Sequence, residues 1–195
     1  MPGIFAGWTA EHYRHSRRDV PDAVVDELVG RLGLDAGDTA VELGAGTGQV
    51  AIPLAARVGT VWALDPEPDL LTPLRRRTDD EAVANVLCLL PSDRELPELA
   101  RAMGHGSCAL LTLANALHWM AAPAVFAACH RLLPPDAAVA VITHGAPLWL
   151  GDSGWARALR RFVESRTGQD ATGTCGSDEA TLQRRTAETD GGRLR

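Results

Sequence analysis

Three glycines, Gly44, Gly46 and Gly48, alternate with other residues directly after a short β-prone run, Thr39-Ala-Val-Glu-Leu43. Glycine at such places permits a tight turn and lets a ligand approach the backbone closely. A helix is expected to follow, and its N-terminus favours an anionic group. Glu42 stands just ahead of the first glycine, and Asp65 lies 21 residues after Gly44, at the end of a second apolar run. An ionised carboxylate there can accept hydrogen bonds from both hydroxyls of a ribose, and it disfavours a 2′-phosphate. These residues point to an adenosine-type cofactor and leave nicotinamide dinucleotide and S-adenosylmethionine open.

The elements that must position these residues alternate in type. Apolar residues at helical spacing predict a helix over 20–32, capped by Asp19 or Asp22, with Pro21 in its first turn and Gly33 as its stop. Short apolar runs predict strands over 39–43, 60–64, 85–90, 107–113 and 137–143. Helices are expected over 49–57, 68–77, 95–103, 123–133 and 153–166. In the last of these, Trp155, Ala158, Leu159, Phe162 and Val163 form one apolar face, which puts Trp155 in the core. Continuous apolar strands separated by helices predict an α/β fold with a Rossmann-like, doubly wound sheet of at least five parallel strands and right-handed crossovers. Ligands of such sheets sit outside the carboxyl ends of the strands, where the glycines and Asp65 fall. Residues 1–167 read as one cofactor-binding domain, and 168–195 as a weakly structured tail with a short helix at best over 178–188.

Glu42-Leu-Gly-Ala-Gly-Thr-Gly48 resembles the first motif of class I S-adenosylmethionine-dependent methyltransferases. Dinucleotide enzymes usually space the glycines G-x-G-x-x-G, and here the third comes one residue too early. The resemblance covers roughly residues 8 to 165 and extends to small-molecule members similar to trans-aconitate methyltransferase. Ala10-Glu-His-Tyr13 with Arg17 is similar to their N-terminal segment, which implies that Tyr13 and Arg17 lie over the cofactor. The resemblance implies cofactor contacts for Glu42, Gly44, Ala45, Gly46 and Gly48. It gives Asp65 the ribose, with Pro66 flanking the adenine. Pro91-Ser-Asp-Arg-Glu-Leu-Pro97 is similar to the third-strand motif and brings Ser92 or Asp93 to the adenine. Leu113-Ala-Asn-Ala-Leu-His-Trp-Met120 is similar to the fourth-strand motif. It implies that Asn115 and Ala116 meet the amino end of the cofactor, with His118 and Trp119 facing the reaction centre. The cofactor implied is S-adenosylmethionine, with S-adenosylhomocysteine as product.

Methyl transfer is an in-line displacement, so placement of the acceptor does much of the work, and a general base helps where the acceptor must lose a proton. His118 and His144, just past strands four and five, are the candidate bases, because imidazole titrates near neutral pH. Trp119 and Trp149 are the candidate walls of an acceptor pocket. Family members usually add two more strands, one of them antiparallel. After Arg166 the chain offers no such pair. A shortened fold, a covering partner and a truncated gene product are all open, and an uncovered sheet edge points to a homodimer.

With 25 acidic and 19 basic residues the net charge is −6, which argues against a nucleic-acid partner. All 19 bases are arginine, and the Arg75-Arg-Arg77 run fits the C-terminal end of a helix. Cys88, Cys108, Cys129 and Cys175 form no C-x-x-C pair; they read as free thiols, and no metal site is expected. With no apolar run of membrane-spanning length and no secretory leader evident, a cytoplasmic enzyme or binding protein is expected, and the resemblance implies methyl transfer to a small molecule, with a non-catalytic or non-methylating cofactor-binding protein as the alternative.

Overall fold

In the computed structural model, which describes residue 5 and residues 7–135, 137–143 and 147–171, the five apolar runs are parallel strands. The chain divides into two compact units, one through Ile142 and one from Thr143. The first contains α1 (Trp8–Ser16), α2 (Asp22–Leu32), β1 (Thr39–Leu43), α3 (Ala51–Ala55), β2 (Thr60–Leu64), α4 (Pro68–Asp80), β3 (Val86–Leu89), α5 (Leu96–Met103), β4 (Leu110–Ala114), α6 (Ala122–Leu132) and β5 (Ala138–Ile142). The sheet order is β3-β2-β1-β4-β5, and in its centre Val41 pairs with Trp62 on one side and Leu111 on the other. Among the described residues no strand is antiparallel, in line with the expected doubly wound parallel sheet.

Alternation along β1 splits the core into two layers. Val41 and Leu43 face α5 and α6, meeting Leu96, Val125 and Leu132. Ala40 faces the other way, toward Val50, Leu54 and Leu74 of the α3 and α4 side. Cys108 and Cys129 are fully buried in the first layer, where loss of hydration pushes their thiols up to about 11 and about 12. No described helix is long and apolar enough to cross a membrane.

Several element ends differ from the sequence expectation. The helix expected over 49–57 shrinks to Ala51–Ala55, because the glycine loop continues through a turn closed by Gly48 N–H to Ala45 O at 2.9 Å, and Pro53 lacks a helix N–H. Asn85 stays outside β3, where its side-chain amide donates to Ala55 O, Val58 O and Gly59 O at 2.8, 3.0 and 3.3 Å. Neither Asp19 nor Asp22 caps α2, whose N-cap is Pro21. Both carboxylates are held elsewhere, Asp19 by Arg77 at 2.9 Å and Asp22 by Arg57 at 2.8 Å. Arg77 stands in the last turn of α4, as expected for a positive charge at a helix end, and the helix runs on to Asp80.

In the second unit a short 3-10 turn, Leu148–Leu150, precedes α7 (Gly154–Thr167). Ser153 Oγ caps α7 by accepting from Ala156 N–H at 3.2 Å, and Gly168 stops it in the left-handed conformation at φ 67°. The helix turns Ala156 inward, so Trp155 and Phe162 stand 58% and 61% exposed rather than in a core. The periodicity located an apolar face but not what it meets. The tail over 172–195, with Cys175 and the helix expected over 178–188, lies outside the described residues.

Candidate active site

Strand order makes the crevice. β1 is flanked by β2 and β4, so the connections leave its carboxyl end in opposite directions, and a doubly wound sheet opens there. The loop after β1 is held against β2 by Gly44 N–H and Ala45 N–H, both donating to Leu64 O at 2.8 and 2.9 Å. The loop after β4 turns at Asn115, which adopts φ 50° and donates its N–H to Ile142 O at 2.9 Å. Asparagine tolerates this left-handed region better than most residues. The two loops abut: a Cβ on Gly44 would lie 2.5 Å from Ala116 Cβ, so only glycine fits at this φ of 75°.

Between them lies a cavity of about 270 Å³. Its floor includes Gly44, Gly46, Asn115 and Ala116; Asp65, Pro66 and Asp93 come from the loops after β2 and β3; Tyr13 and Trp119 close over it. Asp65 is only 6% exposed. Its Oδ2 accepts from Gly46 N–H at 2.8 Å and its Oδ1 from Glu67 N–H at 2.9 Å. Burial pushes the Asp65 carboxyl up, and these two backbone donors oppose the rise. Each oxygen keeps acceptor capacity for a hydroxyl in the cavity.

The lid is α1. It is fixed at its start by Gly7 N–H donating to Asp69 Oδ2 at 2.6 Å. Tyr13 on α1 meets Phe5 edge-on, with ring centroids 5.4 Å apart. Burial raises the Tyr13 phenol, so it stays protonated at neutral pH.

Nine of the residues expected at the site thus line one cavity: Tyr13, Gly44, Gly46, Asp65, Pro66, Asp93, Asn115, Ala116 and Trp119. Others have different surroundings. Arg17, expected against the cofactor, lies 5.3 Å over the Tyr13 ring and borders a separate outer groove with Arg77. Ser92 caps the 3-10 turn Asp93–Glu95, exchanging hydrogen bonds with Glu95, which leaves Asp93 to face the cavity. Gly48 serves packing: a Cβ there would lie 2.3 Å from Leu74 Cδ1. Ala45 is buried beneath the loop.

Glu42 is 1% exposed, and burial pushes its carboxyl well above the usual range. Ala51 N–H donates to it, while its Oε2 has no partner. It is not among the residues that line the cavity. His118 is half-buried with its ring 5.0 Å from that of Trp119, and it does not line the cavity either. Trp149 belongs to the second unit, where its indole N–H donates to Ala171 O at 2.9 Å. His144 lies outside the described residues.

Phe5, Glu67, Leu70 and Met120 also line the cavity and were not expected. Glu67 and Met120 sit beside residues that were, two after Asp65 and one after Trp119. Phe5 carried no periodic signal. The buried carboxylate, the close glycine backbone and the apolar walls fit an adenosyl ligand.

Comparison with known proteins agrees with this geometry. Residues 40–136 match a family model described as a methyltransferase domain. The fold is shared with a candidate S-adenosyl-L-methionine-dependent methyltransferase of Methanococcus maripaludis, at 16% identity and a TM-score of 0.63, covering 87% of this chain and 74% of that one. It is shared too with the YcgJ protein of Bacillus subtilis, at 15% identity and TM-score 0.60, over 86% and 68% of the two chains. A SAM-dependent methyltransferase of Aquifex aeolicus gives 18% identity and TM-score 0.58, over 76% and 78%. Comparison with curated proteins returned no match. Over residues 40–136 the chain is thus similar to methyltransferase domains, and its fold is the one these solved structures share.

Proposed function

We propose that the cavity between the β1 and β4 loops binds S-adenosylmethionine and that the protein transfers the methyl group to a small-molecule acceptor. The buried Asp65 carboxylate beside Gly46, within the stretch that matches a methyltransferase domain, is the observation that carries this. Asp65 would accept the ribose hydroxyls, Pro66 and Leu70 would pack the adenine, and Asp93 would meet its amino group. Asn115 and Ala116 would face the amino-acid end. The bound cofactor supplies a methyl carbon already activated by sulfonium: its bond to sulfur breaks as the acceptor bond forms, and sulfur keeps the electron pair. What remains for the chain is to bind, align and dry the reactants. A small acceptor is supported by the net charge of −6 and by the aromatic side chains over the cavity.

Calorimetric titration with S-adenosylmethionine, S-adenosylhomocysteine and NAD tests the cofactor assignment: micromolar binding of the first two and none of NAD is expected. Release of S-adenosylhomocysteine in the presence of small-molecule acceptors tests transfer. No imidazole lines the cavity among the described residues, so rate is assigned to positioning, with His118 supporting Trp119. His118→Gln should lower turnover by less than about tenfold, because a general base contributes about 10²–10⁴. A hundredfold loss would make His118 the base. A second reading, a cofactor-binding protein without turnover, is favoured by that same lack of a lining imidazole; binding without product under a broad acceptor screen would support it.

A further inference from the structure

Charge in the cavity is one-sided. Three carboxylates, Asp65, Glu67 and Asp93, line it, and among the described residues no arginine or histidine does. The nearest arginine of the lid, Arg17, lies over Tyr13 and borders the outer groove instead. Its upper wall is aromatic. Phe5 and Trp119 meet edge-to-face, with centroids 6.2 Å apart and planes at 85°. Trp119 nevertheless remains 59% exposed, so a large part of its indole stands without protein cover next to the cavity. Exposed aromatic area gains by covering with another flat ring. A carboxylate seated beside these three acids would meet no cation among the described lining residues, and like charges brought together disfavour its ionised form.

We infer that the acceptor is a flat aromatic molecule without negative charge, seated against Trp119 and Phe5. This rests on the methyl-transfer reading and narrows it. It also turns the acceptor away from polycarboxylates of the trans-aconitate kind, despite the resemblance of the N-terminal segment.

The test uses the full chain saturated with S-adenosylhomocysteine, titrated calorimetrically with 2-naphthol and with 2-naphthoate, which share a ring system and differ in charge. 2-Naphthol should bind at least tenfold more tightly than 2-naphthoate. In protein saturated with S-adenosylhomocysteine, Trp119→Ala should weaken 2-naphthol at least tenfold, and Trp119→Phe should restore most of the loss. Equal or tighter binding of 2-naphthoate, an indifferent Trp119→Ala variant, or no binding of 2-naphthol to the saturated protein would each overturn the inference. Failure of S-adenosylhomocysteine itself to bind would instead overturn the cofactor reading beneath it.

Discussion

Two buried carboxyls flank the same glycine loop, and their surroundings divide the work between them. Asp65 faces the cavity with two backbone donors on its oxygens. Replacing it with alanine should weaken S-adenosylhomocysteine binding by about 1–3 kcal/mol, the scale of a lost charge-assisted hydrogen bond; unchanged affinity in the folded variant would remove its ribose role. Glu42 is 1% exposed and within electrostatic reach of Asp65, and its register neighbour on β4 is Thr112, whose Oγ1 also lacks a partner. Because burial raises the folded carboxyl above its unfolded value, Glu42 contributes stability that is full below the unfolded pKa and lost as pH rises toward the folded one. Glu42→Gln cannot ionise. Its unfolding free energy should therefore gain on that of the wild type as pH rises above the ordinary glutamate range, by up to about 1.4 kcal/mol per pH unit. A pH-independent difference would contradict the assignment. At this scale much of the site was legible, because residues at strand ends are fixed by the sheet. Side chains on turns were not. Arg17 and His118 depend on the exit angle of a helix and of a 3-10 turn, which spacing does not encode. The Ser92–Glu95 capping box was readable in principle, since Ser followed three residues later by Glu is its signature.

Two side chains hold the elements behind the site. Arg77 on α4 reaches Asp19 through both terminal nitrogens at 2.9 Å, Glu81 at 3.0 Å and Thr47 O at 3.4 Å. It ties the segment after α1 and the glycine loop to one helix. Arg77→Ala should destabilise by about 1–2 kcal/mol, less than a buried network because its partners are partly exposed. Denaturant titration measures this, and a loss under half a kcal/mol would make the ion pairs incidental. Asn85 answers three carbonyls at the turn into β3. Asn85→Asp should cost more than Asn85→Ala, because it sets a carboxylate against those oxygens; the reverse order in chemical denaturation would contradict this. Neither contact was visible beforehand. Periodicity announces which residues pack, but α7 illustrates that an apolar stripe carries no information about its neighbour.

For the molecule as a whole, the alternation of apolar strands and helices was enough to set class and strand direction. Right-handed crossovers leave few arrangements, and the observed order has β1 at its centre. What composition could not supply was the division at Ile142, since no linker-like run marks it. The buried thiol pair gives this architecture a further use. Cys108 and Cys129 sit fully enclosed between sheet and helices, with thiols that stay protonated at neutral pH. A disulfide reagent can reach them only when α5 and α6 lift from the strands. Their trapping rate is then a native clock for layer separation. It should slow as S-adenosylhomocysteine is added if the cofactor ties the β1 and β4 loops together, while half-buried Cys88 reacts earlier in the same sample.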